Sequence, residues 1–449
     1  MVGGPVAIPS AIHMLRTTTI LLCTLLACAL RADDGLPWHP SQAGYHDATI
    51  ALAEYCLEQN LHSEALRLCT GVNGERAKEI AAACGDLPDE YTAEAWGGYL
   101  DRLEATQRRR AQGAFDAGNP AQDVLAISPD FAPALERAGM LELKGMGWLA
   151  KAEHERLSPL AIALEGAPAK QEREATWDQP WVIIGATFCL VTDLPWSRAR
   201  KYAEYLERFD DIFFELIGDV LPRRPHPNVV WCCKDAAAFV DFTTSAGFPM
   251  GKDNGGMHVG SLGAVLVNAE RCDFVGRKNK SWDNLARTLF HECAHRLVEI
   301  GLRGRRGGMD AWALATTREH AWVVESIAIV FEDLQLSKTG YKLKGLEDQR
   351  AWTIKAWKGK DGKVPELAPI FAQGHTGFAG GTPISSTEKY ALAGSVGWYC
   401  LFEKKEHRQA YLYLLVDYYR TDTQRRNFEK RFAMPLADFE TEWKTWVLK

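Results

Sequence analysis

From Leu285 to Ile300 the chain runs without proline or glycine, and inside that run stands His291-Glu292-Cys293-Ala294-His295. Such a stretch suits a helix, with Ser281 or Asp283 as its N-cap and Gly301 as its stop. On a helix, residues four apart lie about 40° apart around the axis. Both imidazoles therefore leave one face and can meet a single metal ion. Zinc takes nitrogen ligands at about 2.0–2.1 Å, a distance this spacing satisfies. Glu292, beside the first ligand, can reach a water on that metal. Cys293 falls on the far side of the helix and belongs to the core.

A metal that activates water needs a third protein ligand and an open position. Glu325 is the only charged residue in the run from Ala321 to Phe331. A lone buried carboxylate is costly unless it is paired or coordinates a metal. That makes Glu325 the expected third ligand. Glu319 and Glu332 fall near the ends of the same helical stretch, where solvent would satisfy them, and His320 is a further candidate.

His291-Glu292-x-x-His295 followed by Trp322-x-x-Glu325-x-x-Ala328 resembles the gluzincin clan of zinc metallopeptidases. More narrowly, it resembles bacterial peptidase MA-like domains, which often follow helical-repeat segments. Two tail segments are similar to that family's last helices. One is Tyr390-Ala391-x-x-Gly394-Ser395-x-x-Trp398; the other runs from Phe432-x-x-Pro435-Leu436 to Glu442-Trp443. The resemblance covers roughly residues 178–449. It implies a zincin-like fold, a Zn2+ cofactor held by His291, His295 and Glu325, and Glu292 as general base in hydrolysis of a peptide or protein substrate. One departure is Ser326, where the family usually has glycine. A donor should also face the charge that develops on the substrate oxygen. Tyr390 is the first candidate, with His258 and His375, in glycine-rich loops, as alternatives. The strand expected at Gly263–Asn268 offers an edge along which an extended peptide could pair.

Residues 1–32 read as a signal peptide: Arg16 precedes the uncharged run Ile20–Leu30, which is too short to span a bilayer. The expectation is an exported protein, periplasmic or extracellular. Leu25-Leu26-Ala27-Cys28 resembles a lipoprotein box, and membrane association is expected only if Cys28 is lipidated. Nine cysteines follow that segment, an odd number with no CxxC pair, which argues against a disulfide framework or a zinc ribbon. Hydrophobic residues make up 47% and charged residues 24% of the chain, which excludes a mostly disordered chain or a polytopic membrane protein. The net charge of -6 gives no global basic field, so no nucleic-acid partner is expected.

The expected fold class is α+β. A helical region at 35–157, with degenerate tetratricopeptide-like hairpins, leads through a linker at 158–177 into the zincin-like domain at 178–449. Asn60 marks a turn between two short helices, a second helical run covers Ala93–Ala117, and a third follows Pro133 through Leu143. The back region opens with strands at Trp181–Val191 and Asn228–Cys233 and helices at Ser197–Ile217 and Asp235–Ser245. The helical region is either a docking surface for a protein partner or a spacer. Two other functions fit the same motif. One is a scaffold or binding protein with a structural or vestigial zinc site; the other is a zinc amidohydrolase acting on a non-peptide amide such as cell-wall material.

Overall fold

The structure is a computed structural model. It describes residues 44–70, 72–85, 89–225, 227–276, 283–303, 320–343, 345, 353–357, 364–419 and 428–449. The expected signal peptide with Cys28, the alternative cap Ser281, Glu319 and the glycine-rich stretch at 304–308 lie outside the described residues. Among the described residues no helix is long and apolar enough to cross a membrane.

The chain folds as α+β, with helices packed around one six-stranded sheet. A two-stranded hairpin, β1 (Met140–Leu143) and β2 (Gly147–Ala150), precedes it. The sheet contains β3 (Ala161–Ala163), β4 (Trp181–Ile184), β5 (Phe188–Thr192), β6 (Asn228–Cys233), β7 (Gly256–Val259) and β8 (Ala264–Asn268). Their spatial order is β3-β4-β5-β6-β8-β7. β5, β6 and β8 are mutually parallel, and β7 runs antiparallel to β8 on the outside. The central strands read as continuous apolar runs because both faces are covered: every residue of β5 and β8 is buried. A second small pair, β9 (Leu334–Leu336) and β10 (Tyr341–Leu343), follows the Glu325 helix.

Two helices carry the site. The HExxH helix spans Asn284–Arg303 and the Glu325 helix spans Ala321–Glu332. Asp283 caps the first: its carboxylate accepts from the Ala286 N–H at 3.1 Å and from Lys201 at 2.5 Å. Gly301 does not stop it, because the last turn continues against Leu221 and Pro222. The Glu325 helix starts at His320, whose left-handed backbone (φ 67°) turns the chain while its N–H bonds the Phe371 carbonyl at 2.7 Å. The two helices are fastened by an aromatic cluster. Phe290 stacks on Phe209 at 5.0 Å, and Phe331 meets Phe209 and Phe213 edge-on and tilted at 5.3 and 5.2 Å. Each such buried ring contributes roughly 2–3 kcal/mol by removal from water.

Three expectations change. The segment 158–177 is not a free linker: Ala161–Ala163 pairs with β4, and Trp177 packs on Trp231 and Phe242. The helix after Pro133 stops at Arg137, because Gly139, Gly145 and Gly147 all take positive φ and fold Met140–Ala150 into a hairpin. The front helices at Tyr45–Glu58, His62–Cys69, Glu75–Cys84 and Ala93–Asp116 share a core with the back region. Trp96 donates to the Leu302 carbonyl at the end of the HExxH helix at 3.0 Å, and Tyr91 donates to Asp417 at 2.6 Å. The stretch around Ala111–Met140 has a small cluster of its own, and Leu143, Met146 and Leu157 join Val182, Cys189 and Val191 of the sheet in another.

Candidate metal centre

His291 and His295 leave the same face of their helix, with their Nε2 atoms 3.2 Å apart. Glu325 reaches them from the neighbouring helix, its Oε2 3.4 Å from His291 Nε2 and 3.8 Å from His295 Nε2. One ligand atom from each of the three lies within 4.8 Å of the others, so the group can hold a metal ion. The chemistry of the donors fits a divalent cation: two imidazole nitrogens and one carboxylate, all nearly removed from solvent. Glu325 Oε2 is also buried, and the groups it faces are the two imidazoles, at 3.4 and 3.8 Å, longer than a close hydrogen bond.

Burial and mutual contact set the electrostatics of the three side chains. Burial alone would raise the Glu325 pKa, but the hydrogen bond with His291 and the field of His295 hold it well below the usual carboxylate range. Burial would likewise lower His291, yet its bonds to Glu325 and Glu332 raise it to about 10. His295 goes the other way: burial, with the neighbouring histidines, lowers it to about 3. A ligand imidazole must be neutral, so a metal ion binding at His291 competes with a proton there.

Around the three donors stands a second set of groups. Glu332 accepts from His291 Nδ1 at 2.9 Å and pairs with Arg287 at 2.8 Å. This corrects the reading of Glu332 as a solvated helix end, since the residue is buried. Its spacing was the available signal: seven residues from Glu325 is about 20° around a helix, so both acids face the same neighbour. His375 approaches from the other side, Nε2 3.5 Å from Glu325 Oε1. It opens a short helix, His375–Ala379, and its side chain is 39% exposed, so it stands on the solvent side of the cluster. Glu292 is buried next to His291 and accepts the backbone N–H of His258, on β7, at 2.8 Å. Burial raises its pKa, only partly offset by the charge of His291.

The remaining sequence candidates make other contacts. His320 accepts from Trp322 Nε1 at 3.3 Å and is not among the converging donors. The His258 ring faces Glu299 at 2.9 Å. Tyr390 packs its ring on Phe378 at 5.3 Å, and His375, from the same region, reaches Glu325. The expected peptide-pairing edge is also misplaced, for Ala264–Asn268 is paired on both sides, with β6 and with β7. The outer strand is β7. Its Gly256 lies so close to the HExxH helix that a Cβ would come within 2.9 Å of Thr288 and 3.1 Å of Glu292. Cys293 is fully buried, and all nine described cysteines are buried.

Neither the family models nor the curated proteins compared with this chain give a match.

Proposed function

We propose that this chain is a zinc-dependent metallopeptidase of gluzincin type, exported and acting on peptide or protein substrates. The observation that carries the reading is the convergence of His291, His295 and Glu325 in a buried cluster with Glu292 beside it. A zincin-like arrangement accounts for the rest: a mixed sheet, an antiparallel outer strand along the HExxH helix, and a third ligand from the next helix.

When bound, zinc lowers the pKa of a coordinated water toward about 7 and withdraws electrons from a carbonyl oxygen. Glu292 would act as the base, its carboxylate taking a proton from the attacking water and passing it to the leaving amine. The His258 N–H holds Glu292 Oε2 and leaves Oε1 for the proton. Burial raises the pKa of Glu292, the direction that makes a carboxylate a stronger base. His375, at the rim of the cluster, donates to the charge growing on the substrate oxygen, a role for which Tyr390 was the first candidate. β7 supports peptide as the substrate: it pairs with β8 alone among the described strands, and its outer edge can take an extended chain.

The test is cleavage of a mixed peptide library by the zinc-loaded protein and by Glu292→Gln. The expected result is cleavage that a chelator abolishes and that Glu292→Gln reduces by about 10³-fold or more with zinc retained. Equal turnover by both proteins would overturn the assignment. Zinc binding with no cleavage by either would favour the scaffold.

A further inference from the structure

Lys389 is fully covered, and its ammonium faces no carboxylate among its described hydrogen bonds. All three of its donors go to backbone carbonyls: Gly377 at 2.6 Å, Gly380 at 2.8 Å and Thr382 at 2.5 Å. These carbonyls belong to the end of the short His375–Ala379 helix and the loop after it. A cation at a helix C-terminus satisfies carbonyls that have no partner within the helix. What this helix carries at its other end is His375, 3.5 Å from Glu325.

Lys389 sits on the helix Ser386–Trp398, which is fixed at its start by a complete capping box between Ser385 and Glu388. The opposite end of that helix lies against the Glu325 helix. A Cβ on Gly394 would come within 2.5 Å of Ile329, and one on Gly397 within 3.1 Å of Ser326. The same rigid helix thus grips the Glu325 helix through its glycines and the His375 loop through its lysine.

We propose that Lys389 is a positioning residue that sets His375 against Glu325 by clamping the 377–382 loop. The catalytic consequence rests on the peptidase reading; the clamp itself does not. A point charge with three donors is the right device for three carbonyls converging from a turn, whereas a neutral side chain leaves them unsatisfied. Loss of the clamp lets His375 drift, and a displacement of about 1 Å at a catalytic group costs on the order of 10²-fold in rate.

The experiment has two arms on the full chain. In the first, hydrogen exchange is followed in Lys389→Met. The expected result is about tenfold or faster exchange at 375–382 with the HExxH helix unchanged; unchanged protection of the loop overturns the clamp. In the second, kcat is measured for Lys389→Met, His375→Ala and the double variant, each with zinc content checked. Lys389→Met should lose at least about tenfold in kcat with zinc retained, and the double variant should be no worse than His375→Ala alone. Multiplicative losses, or a Lys389→Met enzyme with full kcat, overturn the positioning role. If Lys389→Met does not fold, Lys389→Gln carries both arms. If the unaltered chain cleaves nothing, the peptidase reading fails and the exchange arm still decides the clamp.

Discussion

At the scale of single residues, the site depends on acids placed where an isolated acid would be unfavourable. Glu325 could be found in the sequence because it interrupts an apolar run, and a buried carboxylate needs a partner. Glu332 could not be read the same way, since a charged residue at a helix end looks solvated. Only the fold shows that it holds His291 Nδ1 and neutralises Arg287. His375 stands fifty residues beyond Glu325, in a loop without periodicity, so nothing in the sequence ties the two together beyond its residue type. Glu332 gives the clearest residue-level prediction. Glu332→Gln removes the charge that orients His291 and pairs with Arg287. Zinc affinity, measured by competition with a chelator, should fall by about 10–100-fold. An unchanged affinity would mean that His291 is oriented by other groups.

At the scale of elements, local pattern fixed most boundaries, and tertiary contacts decided the rest. The turn at Asn60, β6 and both long helices follow apolar periodicity and capping chemistry that can be read directly, whereas the single β-rich run at 181–191 folds as the antiparallel pair β4 and β5. β3 could not be read: Ala-Ile-Ala among prolines and glycines has no strand signature, and it is ordered by pairing with β4. Ser326, where the resembling family has glycine, is accommodated because the facing helix supplies the small residues. Its hydroxyl lies 2.6 Å from that of Tyr411 and bonds the Val323 carbonyl at 2.8 Å, while Gly397 allows the close approach. The crossing leaves no room at Gly394, whose added Cβ would meet the branched carbon of Ile329. Gly394→Ala should therefore destabilise the protein by about 1–3 kcal/mol in urea unfolding. It should also weaken zinc binding, because the helix it displaces carries Glu325. A midpoint equal to that of the unaltered chain would show that the interface is looser than this.

At the scale of the whole molecule, the front helices are part of the body that holds the HExxH helix. Composition alone suggested two regions and a linker, because the contacts that merge them join residues hundreds of positions apart. Tyr91 and Arg431 both bond Asp417, Trp96 bonds Leu302, and Arg224 pairs with Asp101 and Glu104. Ala93 N–H adds a backbone bond to Asp219 at 3.0 Å. Elements that share one core unfold together. Tryptophan fluorescence and helical circular dichroism should therefore show one coincident denaturant transition. A separate early transition of the front helices, leaving zinc binding intact, would contradict a shared core.

The central claim is the identity of the groups around the metal. X-ray absorption at the zinc edge of the zinc-loaded protein tests it most directly, because nine buried thiols offer an alternative set of ligands. The account predicts one zinc per chain with nitrogen and oxygen neighbours only, at about 2.0–2.2 Å, and loss of imidazole scattering in His291→Ala and His295→Ala. Sulfur neighbours at about 2.3 Å, or a spectrum indifferent to both substitutions, would contradict it.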